Sequence, residues 1–163
     1  MSTITPCLWF DGTAEQAAAL YTSIFPDSHI DAVRRSPTDN PSTAKGELLT
    51  VEFTLAGKPF VGLNGGPAFP FTEAVSFSID CRDQGEVDRY WDALIMDGGE
   101  PSACGWLKDR FGVSWQVVPT VLQEMYASPD RDAAARAMEA MLQMTKLDIA
   151  KLQAAFDSVP VSA

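Results

Sequence analysis

The stretch LWFDGTAEQAAALYTSIF at residues 8–25 returns in looser form as SFSIDCRDQGEVDRYWDAL at residues 76–94. A shift of 69 residues places Tyr21 on Tyr90. In each copy a short β-prone pattern is followed by an amphipathic helix pattern. We infer a chain built from a duplicated unit. Two unrelated strand–helix pairs could resemble each other in the same way, so the repeat alone leaves that alternative open.

The composition is that of an ordinary globular protein. The chain has 163 residues, 46% of them apolar and 21% charged, which predicts one domain that buries a core without disulfides. No apolar run reaches membrane-spanning length and no signal-peptide pattern opens the chain, so we expect a cytoplasmic protein without a membrane partner. The net charge of -10 argues against a nucleic-acid partner, because phosphate contacts need clustered Lys and Arg.

Each half is predicted to form one strand, one helix and three further strands. Thr13 with Gln16, and Asp83 with Glu86, have the spacing of capping boxes at the two helix starts. Residues 47–55 alternate between apolar and polar side chains, as is typical of a half-buried strand. Two such units predict an α+β domain of roughly eight strands with helices on one face.

The last segment, residues 120–163, has no counterpart in the first half. Pro129 is predicted at the first position of a helix. Apolar residues at helical spacing predict two short amphipathic helices: Met138, Met141, Leu142, Ile149, Leu152 and Phe156. There are more of these apolar side chains than are needed to cover the two repeated units. Met-rich helix faces are suited to contact surfaces, so we expect a homodimer. Packing on the chain's own sheet is the alternative.

Three segments resemble those of the PhnB-like proteins: ITPCLWFDG at 4–12, LNGGP at 63–67, and CGWLKDRFG at 104–112 followed by SWQ at 114–116. These proteins are often labelled 3-demethylubiquinone methyltransferase-like, and they belong to the vicinal-oxygen-chelate superfamily that includes glyoxalase I. The resemblance implies two βαβββ modules in a curved, mostly antiparallel eight-stranded sheet with a cavity, and commonly a homodimer.

With the resemblance added, the whole chain, 1–163, is predicted to be a single domain. The first βαβββ module is expected at 3–66 and the second at 67–119. A C-terminal helical extension is expected at 120–163.

Methyl transfer is not expected, despite that label. Typical S-adenosylmethionine-dependent enzymes place a Gly-rich turn between a strand and a helix, where the backbone approaches the cofactor closely. Here the pair at 65–66 is followed by Pro67 and an aromatic loop, and the pair at 98–99 follows a predicted helix.

A metal centre of the kind that active superfamily members hold is not favoured either. The resemblance places Gln116 where the last metal ligand falls, but a neutral amide is a weaker ligand for a hard cation than a carboxylate. His29, the only histidine, is predicted to be solvated at the start of a strand. We expect no cofactor, and Gln116, Glu73 and Glu52 are the weak metal candidates.

A small-molecule cavity is the predicted site. Large aromatics with one or two amides would make an apolar pocket with orienting polar groups, and the candidate ligand-binding residues are Trp9, Asn64, Trp106 and Gln116. The aromatics could instead belong to the core, and Asn64 could be only a turn residue. Adjacent strand residues face opposite sides, so Gln116 is assigned to the cavity and Trp115 to the core.

The cysteines point to no further chemistry. Cys7 and Cys81 are predicted in the core and Cys104 at a strand end, all reduced. A nucleophilic Cys104 would need a base or a cation beside it. Three functions stay open: a superfamily protein of unknown reaction, a non-catalytic protein that sequesters an apolar or aromatic ligand, and an interaction protein with a filled cavity.

Overall fold

The computed structural model describes residues 4–158, and the chain divides into two compact units, one ending at Phe71 and the other beginning at Thr72. The first unit contains β1 (Cys7–Phe10), α1 (Ala14–Ile24), β2 (His29–Arg35), β3 (Leu48–Leu55) and β4 (Lys58–Asn64). Its strands are ordered β1-β4-β3-β2, with β1 parallel to β4 and the other neighbours antiparallel.

The second unit repeats this plan. It contains β5 (Ser76–Cys81), α2 (Gln84–Ile95), β6 (Glu100–Pro101), β7 (Trp106–Lys108) and β8 (Ser114–Pro119). The order is β5-β8-β7-β6, and again only the first and last strands pair in parallel. The α+β class, the two βαβββ modules and the mostly antiparallel pairing are therefore confirmed, with the eight strands in two four-stranded sheets. The expected single domain stays a prediction.

The first core forms between α1 and the central strands of its sheet. Ala14, Ala17, Ala18 and Tyr21 are each 0% exposed, and their spacing places them on one side of the helix. The alanines allow a close approach, since a Cβ added to Gly62 would lie 3.2 Å from the Ala14 Cβ. The Tyr21 ring packs 6.4 Å from that of Phe53.

The two helix starts are built differently. At α2 the Asp83 carboxylate accepts from the Glu86 N–H at 2.9 Å, while the Glu86 carboxylate accepts from the Arg82 N–H at 2.8 Å, one residue before the N–H that a capping box would use. At α1 the predicted capping box is wrong, because the Thr13 side chain makes no cap hydrogen bond. The two cap residues are 70 positions apart, one more than the shift that the sequence favoured.

The extension forms three helices where two were predicted: α3 (Thr120–Ala127), α4 (Arg131–Leu142) and α5 (Ile149–Asp157). They share a small core around Leu122, Met125 and Leu152. Pro129 is not the first residue of a helix, because α4 is capped by Asp130, whose carboxylate accepts from the Ala133 N–H at 2.9 Å. Across the described part of the chain, every helix is too short or too polar to traverse a lipid bilayer.

Candidate functional site

The register of β5, β8 and β7 sorts the side chains of the second sheet onto two faces. Trp106 and Ser78 lie opposite Gln116, whereas Leu107 and Phe77 lie opposite Trp115. Helix α2 packs on the side of Leu107 and Trp115, which are 1% and 3% exposed. The other side is here called the polar face, and its members are Ser76, Ser78, Trp106, Lys108, Ser114 and Gln116. Gln116 and Trp106, two of the predicted ligand-binding residues, are thus brought together.

Trp115 lies in the core, held by an acidic partner that the sequence analysis missed. Its indole Nε1 donates to Asp109 Oδ2 at 2.9 Å, and its ring centroid is 5.4 Å from that of Phe77. The buried Asp109 carboxylate also accepts from the N–H groups of Phe111 and Val113, at 2.8 and 3.1 Å. This carboxylate shapes the β7–β8 hairpin, which explains much of the distinctive 104–112 segment. The available signal was the local turn sequence Asp-Arg-Phe-Gly, typical of an Asx turn.

Gln116 offers a hydrogen-bond acceptor on the polar face. Its Nε2 donates to Ser76 Oγ at 2.9 Å, which holds the side chain in place on this face. Its Oε1 accepts no hydrogen bond from any residue in the described range. The half-buried Trp106 stands opposite it in register. An apolar ring beside a fixed acceptor is the arrangement expected of a pocket that orients a small molecule.

A pocket of about 440 Å³ opens at the β6–β7 end of the same sheet. Its wall includes Glu73, Glu100, Pro101, Trp106, Lys108 and Ser114. Lys108 Nζ lies 2.8 Å from Glu73 Oε1 and 3.7 Å from Glu100 Oε2. The hydrogen bond between Lys108 and Glu73 raises the pKa of the lysine and lowers that of the carboxyl, so both are charged at neutral pH. This volume falls within the usual range for small-molecule sites.

The weak metal candidates do not assemble a centre within either unit. The Glu73 carboxylate is paired with Lys108, and Glu52 is paired with Arg34 through a hydrogen bond of 2.5 Å in the first unit. Residues 4–158 contain no cluster of three or more His, Cys, Asp or Glu side chains that could hold a metal ion. In the second unit this leaves the neutral oxygen of Gln116, which does not fit a hard divalent cation on its own. His29 is exposed at the first position of β2, 3.0 Å from Asp31.

The other two candidate ligand residues, Asn64 and Trp9, belong to the first unit and lie on opposite faces of its sheet. Asn64 is 6% exposed, its Oδ1 accepts from the Ala14 N–H at 3.0 Å, and its Nδ2 donates to the Leu48 carbonyl at 3.1 Å. This side chain therefore supplies the cap that Thr13 does not. It also borders a smaller pocket of about 250 Å³.

Trp9 is held by the glycine pair that follows β4. Its Nε1 donates to the Gly66 carbonyl at 2.7 Å, and its ring meets Phe69 edge-on at 5.0 Å. A Cβ on Gly65 would overlap the Trp9 ring, so only glycine fits there. The N–H groups of both glycines point to the Phe10 carbonyl. Together with Asn64, these contacts explain the LNGGP segment as the structural link between the ends of β1 and β4.

The three cysteines are placed differently. Cys81 is buried as predicted, and burial is the main cause that raises the pKa of its thiol to about 12. Cys7 is exposed at the start of an edge strand, so its predicted core position is wrong. Cys104 is partly buried in the turn before β7, with a left-handed φ of 61°, and its N–H donates to the Met144 carbonyl at 2.7 Å.

Comparison with known proteins gives a consistent picture. Residues 2–118 match the family described as 3-demethylubiquinone-9 3-methyltransferase. A PhnB protein from Bacillus cereus is 32% identical, with 72% of this chain and 99% of that one covered and a TM-score of 0.64. No curated protein matches. The family match ends before α3, so the helical extension lies beyond it.

Two more distant structures share the fold alone. Protein PA1353 from Pseudomonas aeruginosa is 23% identical, with 73% of this chain and 98% of that one covered and a TM-score of 0.59. The fosfomycin resistance protein FosX from Listeria monocytogenes is 15% identical, with coverages of 76% and 97% and a TM-score of 0.51.

Proposed function

The chain belongs to the 3-demethylubiquinone-9 3-methyltransferase family, whose members are the PhnB-like proteins of the vicinal-oxygen-chelate superfamily. On this basis we propose that it binds a small molecule on the polar face of its second sheet. The observation that carries the proposal is the Gln116 amide, fixed by Ser76 with its Oε1 open beside Trp106. The ring would contact the apolar part of a ligand, and the oxygen would accept a hydrogen bond from it.

Binding without methyl transfer is the form of this function that the residues favour. One glycine pair follows β4 and the other follows α2, so neither pair forms the turn from a strand into a helix that such a cofactor requires. Glu73 and Lys108, two titratable groups in the pocket that Trp106 lines, are paired with each other. That pairing favours a role in shaping the pocket over general acid–base catalysis.

The test is a fragment screen by ligand-observed NMR on the full chain, repeated on Gln116→Ala. Gln16→Ala is the matched control, because it is the same substitution at an exposed position on α1. We expect hits whose affinity falls about tenfold in Gln116→Ala, the scale of one well-placed hydrogen bond, and is unchanged in the control. Equal binding by wild type and Gln116→Ala would remove the polar face as the site.

The homodimer stays a prediction. Of the residues that motivated it, Leu152 is buried, and Met141 and Phe156 pack on the chain's own helical core. Met138 and Leu142, four positions apart on α4, are 45% and 55% exposed and remain available for a second copy. Light scattering at micromolar concentration should give a dimer mass, and a monomer mass would refute the expectation.

A further inference from the structure

The pocket beside Trp106 carries more negative than positive charge. Glu73 and Glu100 contribute two carboxylates and Lys108 one ammonium, which leaves a formal charge of -1 at its wall. The carboxylates are 61% and 74% exposed, so a ligand can reach them from solvent. The chain as a whole has a formal net charge of -10, and its electrostatic field likewise attracts cations and repels anions.

The base of this pocket holds a hydroxyl group with no partner. Ser114 is 2% exposed, and its Oγ makes no hydrogen bond with any residue of the described chain. Ser114 lies opposite Lys108 in register and therefore on the same face as Trp106 and Gln116. Burying a hydroxyl without a hydrogen-bond partner costs free energy, and a ligand that forms a hydrogen bond with it would regain that free energy on binding.

An aromatic wall completes the pocket. The half-buried Trp106 indole and Pro101 line it, and neither brings a charge. Aromatic rings prefer offset or edge-on contact with another ring, and their faces attract cations. The wall therefore suits a planar ring and favours a positive group near that ring.

We propose that this pocket selects planar aromatic ligands that are neutral or cationic and rejects anionic ones, a specificity that rests on the proposed ligand-binding function. The ring stacks on Trp106, a hydrogen-bonding group of the ligand reaches the Ser114 hydroxyl, and a cationic group lies against the solvent-exposed sides of the Glu73 and Glu100 carboxylates, away from Lys108. A carboxylate or phosphate in the same place would meet two carboxylates, and Lys108 is already paired.

The test uses three probes with one ring and different charge: indole, tryptamine and indole-3-propionate. Dissociation constants are measured by ligand-observed NMR on the full chain at neutral pH and low salt. We expect tryptamine to bind on the order of tenfold more tightly than indole-3-propionate, with indole between them. The difference should shrink in about 1 M salt, where the screening length falls to roughly 3 Å.

Three variants separate the contributions. Glu73→Gln removes one carboxylate and leaves Lys108 paired with Glu100, so the wall has no net formal charge and the preference for tryptamine should disappear. Glu139→Gln, an exposed glutamate on α4, makes the same chemical change outside the pocket and should leave the preference intact. Ser114→Ala should weaken tryptamine and indole by a similar factor, because the hydroxyl is neutral.

Equal affinities for tryptamine and indole-3-propionate, or no detectable binding of any probe at millimolar concentration, overturn the proposed specificity. So does a preference that persists unchanged in Glu73→Gln. In each case a fragment hit that still depends on Gln116 would leave the ligand-binding function standing. Loss of every Gln116-dependent hit would instead remove the function itself.

Discussion

Replacing Trp115 by alanine should strongly destabilise the second unit. The indole is 3% exposed, packs against Phe77 and lies on the side of the sheet that α2 covers. A buried aromatic of this size removes roughly 200 Å² from water, and at about 25 cal/mol per Å² its loss would cost roughly 5 kcal/mol. Measured aromatic-to-alanine changes in protein cores fall at about 3–5 kcal/mol, and we expect that range here.

Part of this cost comes from the hydrogen bond to Asp109, and a second variant isolates it. Trp115→Phe keeps a ring in the core but removes the N–H that donates to the buried carboxylate. Hydrogen bonds to charged groups contribute about 1.5–3 kcal/mol, so we expect a loss near 2 kcal/mol. The neighbouring Gln116→Ala, on the polar face, should cost about 1 kcal/mol or less.

Urea unfolding followed by far-UV circular dichroism measures all three variants. The expected order of stability is wild type, then Gln116→Ala, then Trp115→Phe, then Trp115→Ala. If Gln116→Ala unfolded the protein while Trp115→Ala left its midpoint unchanged, the two faces of the sheet would be reversed. If Trp115→Phe matched wild type, the bond to Asp109 would contribute nothing measurable.

Three further changes should alter stability in different directions, and thermal or urea melts measure each. Asn64→Ala should cost roughly 2–4 kcal/mol, since it removes a helix cap and leaves a buried carbonyl without a donor. Ser114→Ala should raise the free energy of unfolding by about 1 kcal/mol, because it removes an unpartnered buried hydroxyl. Hydrogen bonds from the Arg82 side chain and backbone lower the pKa of Glu86 from 4.5 to about 2. The stabilisation from Glu86 is therefore complete above about pH 4.5 and is lost as the pH falls through 2, so Glu86→Gln should be destabilising at pH 7 and should approach the stability of wild type only below pH 2.

The repeated βαβββ plan could be predicted because its signals are local. The apolar stripe on α1 and the alternation along β3 follow directly from helix and strand periods. The same alternation placed Trp115 and Gln116 on opposite faces. Helix α3 was missed because it begins directly after Pro119, the last residue of β8, with no turn residues between them to mark a boundary. Strand β6 is only Glu100–Pro101, and Cys104 in the following turn adopts a left-handed conformation that a strand cannot continue.

The roles of individual polar residues were harder to predict, because they depend on contacts between distant parts of the chain. Asn64 caps a helix that starts 50 positions earlier, and nothing near Asn64 in the sequence signals that helix. The Lys108–Glu73 pair likewise joins residues before β5 and at the end of β7. A spacing argument identifies which side chains share a face, but it does not show which of them are already engaged by the chain itself.

The parallel pairing that closes each module constrains how the protein can fold during synthesis. β1 has one neighbour in its sheet, β4, and the Trp9–Gly66 bond joins positions 57 apart. On the ribosome, β1 therefore emerges long before β4, its one neighbour in the described sheet. Until β4 emerges, the apolar residues of β1 stay exposed, and chaperones or other nascent chains can bind them. Contacts of such long sequence separation form late because the loop between them must close first, so β1 should join its sheet only after β4 has been released.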